Sequence, residues 1–267
     1  MSEFEDLVAD LTGVQREPTF KKMPNGRTFD GAGSGFPDVP LKSAILCTAR
    51  SGSSLLSVAL QAYKFDFHEY LNTGGMLKTN IAQNEITKTS EMAPHFAKMA
   101  TVDGRMSIKT PANGLPYFFM MGEFPKNLSQ WRFVFLRREN LVRQAISGLI
   151  AQKTGQWTKR MEQKGTITED DYSFDDILRL VNVYANGNRA IERFIGLLNL
   201  PTYNVTYEEF LADQKNILAE IAAFLGCDTS KYPEAKNHEP WLERQSTDLN
   251  ENWEKRFREE ILSRASR

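Results

Sequence analysis

Cysteine is scarce in this chain. Cys47 and Cys227 stand far apart and without metal-ligand spacing, which rules out a disulfide-built scaffold and a cysteine metal site. Both read as reduced, buried small hydrophobes. Histidine is almost as sparse, with only His68, His95 and His238, and neither histidines nor carboxylates fall into a ligand pattern, so no metal is expected. Long apolar runs are missing: no stretch approaches the roughly 20 residues that span a bilayer. An excess of either charge is missing too. Lys plus Arg number 33 against 34 for Asp plus Glu, a net charge of −1. Such a balance supplies no global attraction to nucleic acid or to an anionic membrane, so any anion must be met by local basic clusters. Met1-Ser2-Glu3-Phe4-Glu5-Asp6 is acidic and holds no apolar run, unlike a secretory leader. The expectation is a soluble, cytoplasmic protein. Internal repeats and low-complexity tracts are also absent.

What is present suits a folded domain. The chain has 267 residues, 41% of them apolar, enough for one sizeable core. Residues 1–40 are polar and rich in Gly, Pro and Lys after a short helical start at Phe4–Leu11, and read as an irregular arm. Residues 41–267 read as a single α/β domain with a helical C-terminal tail. Ala44-Ile45-Leu46-Cys47, Met106-Ser107-Ile108-Lys109, Arg132-Phe133-Val134-Phe135-Leu136 and Thr202-Tyr203-Asn204-Val205-Thr206 are strand-like; the second follows an Asp103-Gly104 turn. Phe65–Leu71 alternates polar and aromatic residues, as a strand leaving the sheet would. Residues 72–105 otherwise read as loop and helix with few strong signals, and Phe118–Phe124 as a packed helix. Periodic apolar positions predict helices from Leu55 to about Tyr63, from Leu141 to Ile150, from Phe174 to about Leu198 capped by Ser173, from Glu208 to Phe224 ending at Gly226, and from Leu249 to Leu262. Strands alternating with helices imply a central, mostly parallel sheet flanked by helices. Ligands in such folds bind beyond the carboxyl ends of the strands.

Two strand ends carry chemistry. The first is Thr48-Ala49-Arg50-Ser51-Gly52-Ser53-Ser54, a small-residue loop between a strand and a helix. The first N–H groups of a helix have no internal partner and carry partial positive charge, so phosphate or sulfate settles there. Gly52 lets backbone approach a ligand, Ser51, Ser53 and Ser54 add hydroxyls, and Arg50 adds a forked cation. Serines alone would suggest only a helix cap; Arg50 and Gly52 in the same turn favour anion binding. The GxxxxGK[ST] spacing of a Mg-dependent NTPase is not there. The second is Leu136-Arg137-Arg138-Glu139-Asn140, a strand running into an arginine pair and then a helix that bears Ser147. A phosphate dianion accepts a guanidinium fork and a hydroxyl bond in fixed geometry.

The first loop resembles the 5′-phosphosulfate loop of sulfotransferases, which use 3′-phosphoadenosine 5′-phosphosulfate (PAPS) as donor. Many of them carry Lys where this chain has Arg50; the Arg-Ser-Gly-Ser form is similar to the bacterial trehalose 2-sulfotransferase branch. Arg137, Arg138 and Ser147 resemble the same family's 3′-phosphate segment, although the interval from arginine to serine is longer than the commonest pattern. Gln144-Ala145-Ile146-Ser147, Thr154-Gly155-Gln156-Trp157, Thr206-Tyr207-Glu208-Glu209, Phe224-Leu225-Gly226 and the stretch from Arg244 to Phe257 extend the likeness. It covers about residues 43–158 and 203–258, but not the arm.

The resemblance implies a P-loop-like sulfotransferase fold, PAPS as donor without a metal, and sulfuryl transfer to a hydroxyl of a carbohydrate or glycolipid. It also implies a cofactor site of Arg50, Ser51, Gly52, Ser53, Ser54, Ser147 and either Arg137 or Arg138, Arg138 being favoured, and a homodimer as the assembly. It implies a general base at Glu69, in a Glu-Tyr context after the first helix, with His68 as the competitor. Neighbours on an extended segment point to opposite sides, so only one of the two can face the crevice. Lys109 at a strand end faces either substrate or solvent. Trp157 reads as packed, though aromatics near sugar sites commonly stack on hydroxylated rings. His95 and His238 read as structural, and Arg244 as a surface charge with cofactor binding the lesser reading. Two other readings stand beside this one: a nucleotide-dependent kinase with a degenerate phosphate loop, and a non-catalytic nucleotide- or carbohydrate-binding relative.

Overall fold

The computed structural model describes residues 36, 39, 41–69, 71, 89–118, 128–158, 161–237 and 248–266. Almost all of the arm, with the helix expected at Phe4–Leu11, lies outside these residues. Phe36 is the exception of consequence. It is buried, its ring 5.6 Å from that of Trp131 and 6.3 Å from that of Phe118, and its carbonyl accepts from Lys42 Nζ.

The elements run β1 (Leu41–Cys47), α1 (Ser53–Leu60), α2 (Thr89–Ala100), β2 (Thr101–Val102), β3 (Arg105–Pro111), α3 (Leu115–Phe118), β4 (Trp131–Arg137), α4 (Leu141–Thr154), α5 (Phe174–Leu198), β5 (Thr202–Thr206), α6 (Tyr207–Ala212), α7 (Gln214–Phe224) and α8 (Asp248–Ala265). They form one five-stranded sheet in the order β2-β3-β1-β4-β5, parallel except for the short β2–β3 pairing, which the sequence did not announce.

Both faces of the sheet are covered, so its central strands read as apolar without alternation. Ala44, Leu46, Phe133 and Phe135 pack with α2 and with Ile191 and Phe194 of α5 on one side. Ile45, Cys47, Val134 and Leu136 pack with α1, α6 and α7 on the other. Burial of one such side chain stabilises by about 1.5–3 kcal/mol, which fixes the strand register from within. A third cluster, built from Trp253 and Phe257 with Ala145, Ile146, Ile177 and Leu180, docks α8 onto α4 and α5.

Local chemistry sets the helix ends. Ser173 Oγ accepts from Asp176 N at 3.3 Å to start α5, and Asn140 Oδ1 accepts from Arg143 N at 3.0 Å to start α4. Gly155, at φ 68°, ends α4. The single helix expected from Glu208 to Phe224 is in fact two. Asp213 leaves helical backbone and its carboxylate accepts from Asn216 N, starting α7 afresh; an Asx cap inside an apolar period breaks the helix there. Phe65–Leu71 is not a strand among the described residues but makes one parallel bridge, His68 to Ile108. Of the helix expected at Phe118–Phe124, only Phe118 is described, at the end of α3. No described helix is long and apolar enough to cross a membrane.

Candidate functional site

The strand order places β1 between β3 and β4, so chain connections leave β1's carboxyl end in both directions. That is where open α/β sheets make a crevice. Cys47 ends β1 in register with Leu136 of β4 and with Pro111 of β3, and Arg137 of β4 pairs with Thr206 at the end of β5. The four parallel strands therefore deliver the Arg50 loop, the Arg138 segment, Lys109 and Tyr207 to one edge.

The Arg50 loop is tightly wound. Ser51 N donates to Thr48 O, and Arg50 itself takes φ 63°, a left-handed conformation rare for a side-chain-bearing residue and typical of constrained functional turns. Gly52 follows at φ 96°, directly before the first residue of α1. The Arg50 guanidinium does not face bulk water: Nε donates to Ser147 Oγ at 2.9 Å, and Nη1 donates to the carbonyl of Trp157. Burial lowers the Arg50 pKa from its ordinary value; Tyr184 opposes this and the nearby Arg138 adds to it.

Arg138 is similarly sequestered. Its guanidinium lies 4.8 Å from the centre of the Tyr207 ring, with Glu208 at 3.9 Å, and burial again lowers its pKa against the opposing pull of Tyr207 and Glu208. Its Nε is buried and makes no hydrogen bond. Glu208 accepts from the backbone N–H groups of Glu139 and Asn140, which secures the turn that follows. Glu254 of α8 secures it from the other side, accepting from Asn140 Nδ2 at 2.8 Å and from Arg143 Nε. Burial works to raise the Glu254 carboxyl, but the bonds from Asn140, Arg143 and Arg258 prevail and hold it at about 2. Arg137 points elsewhere, half exposed with Glu192 at 3.6 Å.

Tyr207 connects the two loops. A Cβ added at Gly52 would stand 2.4 Å from Tyr207 Cδ2, and the same ring carries Arg138. Gly52→Ala is therefore expected to lower the melting temperature by several degrees, since a strained φ alone costs about 1–3 kcal/mol. Gly104→Ala, at φ 71° with nothing within 4 Å of its added Cβ, supplies the backbone-only reference. Equal melting losses for the two variants would mean that the ring contact has no weight.

On the β3 side, Lys109 is buried. Its Nζ lies 3.0 Å from Glu69 Oε2 and donates to Ser54 Oγ at 3.3 Å. His68 turns away, 49% exposed with Nε2 at 2.9 Å from Asp66 Oδ1, while its carbonyl accepts from Lys109 N. Cys47 lies beneath the loop; burial raises its thiol to about 11, so it stays protonated and unreactive.

The structure thus brings Arg50, Ser51, Gly52, Ser53, Ser54, Lys109, Glu69, Arg138 and Ser147 to one sheet edge and turns Arg137 and His68 aside. Trp157 differs from expectation. It is 40% exposed rather than packed, because Gly155 turns the chain outward, and its link to the site is its carbonyl. His95 sits on α2 with its ring 5.5 Å from that of Phe96 and its Nε2 buried without a hydrogen bond; His238 and Arg244 lie outside the described residues. Tyr207, Glu208, Gln144 and Glu254 were given no role by sequence reasoning. All four lie in stretches that carry the family likeness, but a likeness of sequence does not say what each side chain touches.

Two largely desolvated guanidiniums close enough to repel each other, an Arg138 Nε that makes no hydrogen bond, and a buried Ser51 Oγ that has no oxygen or nitrogen partner fit a ligand with anionic groups at both ends.

The family model described as Stf0 sulphotransferase matches residues 123–260, just over half of the chain. None of the curated proteins compared with the chain matches it. Among solved structures, the chain is similar to a mouse sulfotransferase complexed with PAP, at 16% identity over 79% of this chain and 73% of that one, with a TM-score of 0.44. It is similar also to the sulfotransferase domain of the Synechococcus PCC 7002 olefin synthase, at 14% identity over 87% and 98% of the two chains and a TM-score of 0.44. A third is retinol dehydratase in complex with androsterone and the inactive cofactor PAP, at 15% identity over 98% and 94%, with a TM-score of 0.45.

Proposed function

The chain belongs to the Stf0 sulphotransferase family, and from that premise we propose that it uses PAPS to sulfate a hydroxyl of a carbohydrate or glycolipid, with Glu69 as general base. The observation that carries this reading is the pair of sequestered guanidiniums, Arg50 and Arg138, at the ends of adjacent parallel strands and joined through Tyr207.

PAPS supplies an activated sulfuryl group and a phosphate leaving group. The side chains divide around it. Arg50, the α1 N-terminus and the loop serines hold the 5′ end, where they offset charge as it develops on the leaving phosphate. Arg138 holds the 3′-phosphate, the end to which the family likeness also assigns Ser147, whose Oγ accepts from Arg50 Nε. Glu69 takes the proton of the acceptor hydroxyl, kept in place by Lys109. Lys109 joins Glu69 to Ser54 at the mouth of the loop, so the base and the anion site share one cation. The exposed Trp157, tied to Arg50 through its carbonyl, offers a flat apolar face to a sugar ring. The trehalose 2-sulfotransferase branch is the model for the acceptor, and a homodimer for the assembly.

The test is comparative melting. A ligand bound only to the native state at a hundred times its Kd adds about 2.7 kcal/mol, an upward shift of about 5–10 °C for a chain of this size. PAP is expected to give such a shift and ATP with Mg none; the reverse result would overturn the donor site. Screening hydroxylated sugars with labelled PAPS then identifies the acceptor.

A further inference from the structure

Nothing in the reaction as outlined uses Gln144, yet its polar side chain is fully buried beside the loop. It projects from α4 and gives both of its amide hydrogens to the turn that carries Arg50. Nε2 donates to Thr48 Oγ1 at 2.8 Å and to the carbonyl of Ala49 at 2.7 Å. Thr48 Oγ1 passes the chain on, donating to Asn188 Oδ1 of α5 at 3.2 Å. The helix comes this close because residue 187 is glycine: a Cβ there would stand 2.7 Å from Thr48 Cγ2. The two residues that Gln144 grips immediately precede Arg50, whose φ of 63° the chain would not adopt unaided.

A side chain kept only for stability would have both ends satisfied. Gln144 does not: Oε1 is buried with no hydrogen-bond partner. An apolar residue of similar volume would leave no such orphan. The position keeps an amide at a local disadvantage, and what the amide provides is two donors aimed at one strained turn.

We propose that Gln144 is a positioning residue for donor binding: it clamps Thr48 and Ala49 so that Arg50 and the α1 N-terminus are set for the 5′ end of PAPS before it arrives. This rests on the reading of residues 48–54 as the donor loop, and preorganisation of this kind acts on affinity for the group it serves.

The experiment titrates PAP calorimetrically into wild type, Gln144→Leu, Gln144→Glu and Thr48→Val, with steady-state constants for PAPS and for the acceptor found by the screen. Gln144→Leu is expected to weaken PAP at least tenfold and raise the KM for PAPS similarly, with the acceptor KM within twofold. Thr48→Val, which removes one link of the clamp, is expected to weaken PAP about threefold. Gln144→Glu carries the most specific signature. Its carboxylate has no hydrogen to give, but its protonated form has one, so its affinity relative to wild type should recover as pH falls. A purely structural residue would not produce that recovery. Failure of wild type to bind PAP would overturn the donor site itself. Wild-type binding with unchanged affinity in Gln144→Leu, or in Thr48→Val should Gln144→Leu not fold, would overturn the clamp alone, as would equal losses for donor and acceptor.

Discussion

Glu69→Gln is expected to lower kcat by about 10²–10⁴-fold, the range that a positioned general base contributes, while PAP affinity stays within about twofold. The substitution keeps the shape of the side chain and removes its ability to take a proton. Its neighbourhood makes the expectation specific. Glu69 Oε2 lies 3.0 Å from Lys109 Nζ, and Lys109 in turn donates to Ser54 at the mouth of the anion loop. A base there stands one cation away from the transferring group. The same pairing brings a side effect: without the carboxylate, buried Lys109 keeps only Ser54 among the partners described above, and an underpaired buried cation destabilises. Glu69 is 28% exposed, so water tempers the loss, and a melting drop of a few degrees is expected rather than collapse. His68→Ala supplies the contrast. His68 is half exposed and engaged with Asp66, and its removal should change kcat no more than a few-fold. An inactive His68→Ala beside an active Glu69→Gln would reverse the assignment of the base.

Glu69 also marks a limit of what a sequence conveys. That Glu69 and His68 face opposite ways follows from extended backbone. Which one faces inward does not, because it depends on Lys109, forty residues later, and on a single backbone bridge that no local pattern signals. The elements themselves were far more legible. The two central strands, β1 and β4, carry apolar runs bounded by turn or charged residues, and β3 and β5 are shorter signals of β-branched and apolar residues set off by turns. Phe174–Leu198 emerged with the expected ends because Ser173 caps it and its apolar face is continuous. Thr89–Ala100 was obscure because Pro94 stands in its interior, although Met92, Ala93, Phe96, Ala97 and Ala100 recur at helical spacing and are buried. The break at Asp213 escaped because an apolar face continued through it, and a cap inside a helical period looks like any other polar residue.

The site divides in the same manner. The loop from Thr48 to Ser54 is contiguous, so its strand, turn and helix could be read together. What holds the loop is not contiguous. Ser147 and Trp157 reach Arg50 from about a hundred residues away, and Gln144 and Tyr207 act through contacts that exist only once the sheet has formed. A sequence displays the groups that touch a ligand more readily than the groups that aim them.

Arg138→Ala is expected to weaken PAP by about 30-fold or more, since truncating one member of a buried, hydrogen-bonded charge pair costs about 2–5 kcal/mol. Stability should change far less. Arg138 gains a cation–π contact with Tyr207 and an ion pair with Glu208 at 3.9 Å from Nε, but that distance is too long for a hydrogen bond and leaves the buried Nε–H without one, so the gains and the penalty offset. Affinity and melting temperature should therefore part company in this variant, which they would not if Arg138 were a structural residue. Arg138→Lys should fall between, retaining the charge while losing the fork and most of the stacking. Arg137→Ala, one residue earlier but paired with Glu192 at the surface, should bind PAP within about twofold of wild type. The comparison separates the two arginines that the sequence left side by side: loss of affinity in Arg137→Ala with none in Arg138→Ala would move the 3′-phosphate to the other side of β4. Their contacts make them unequal: Arg137, the last residue of β4, meets Glu192, while Arg138, just past the strand, lies over the Tyr207 ring.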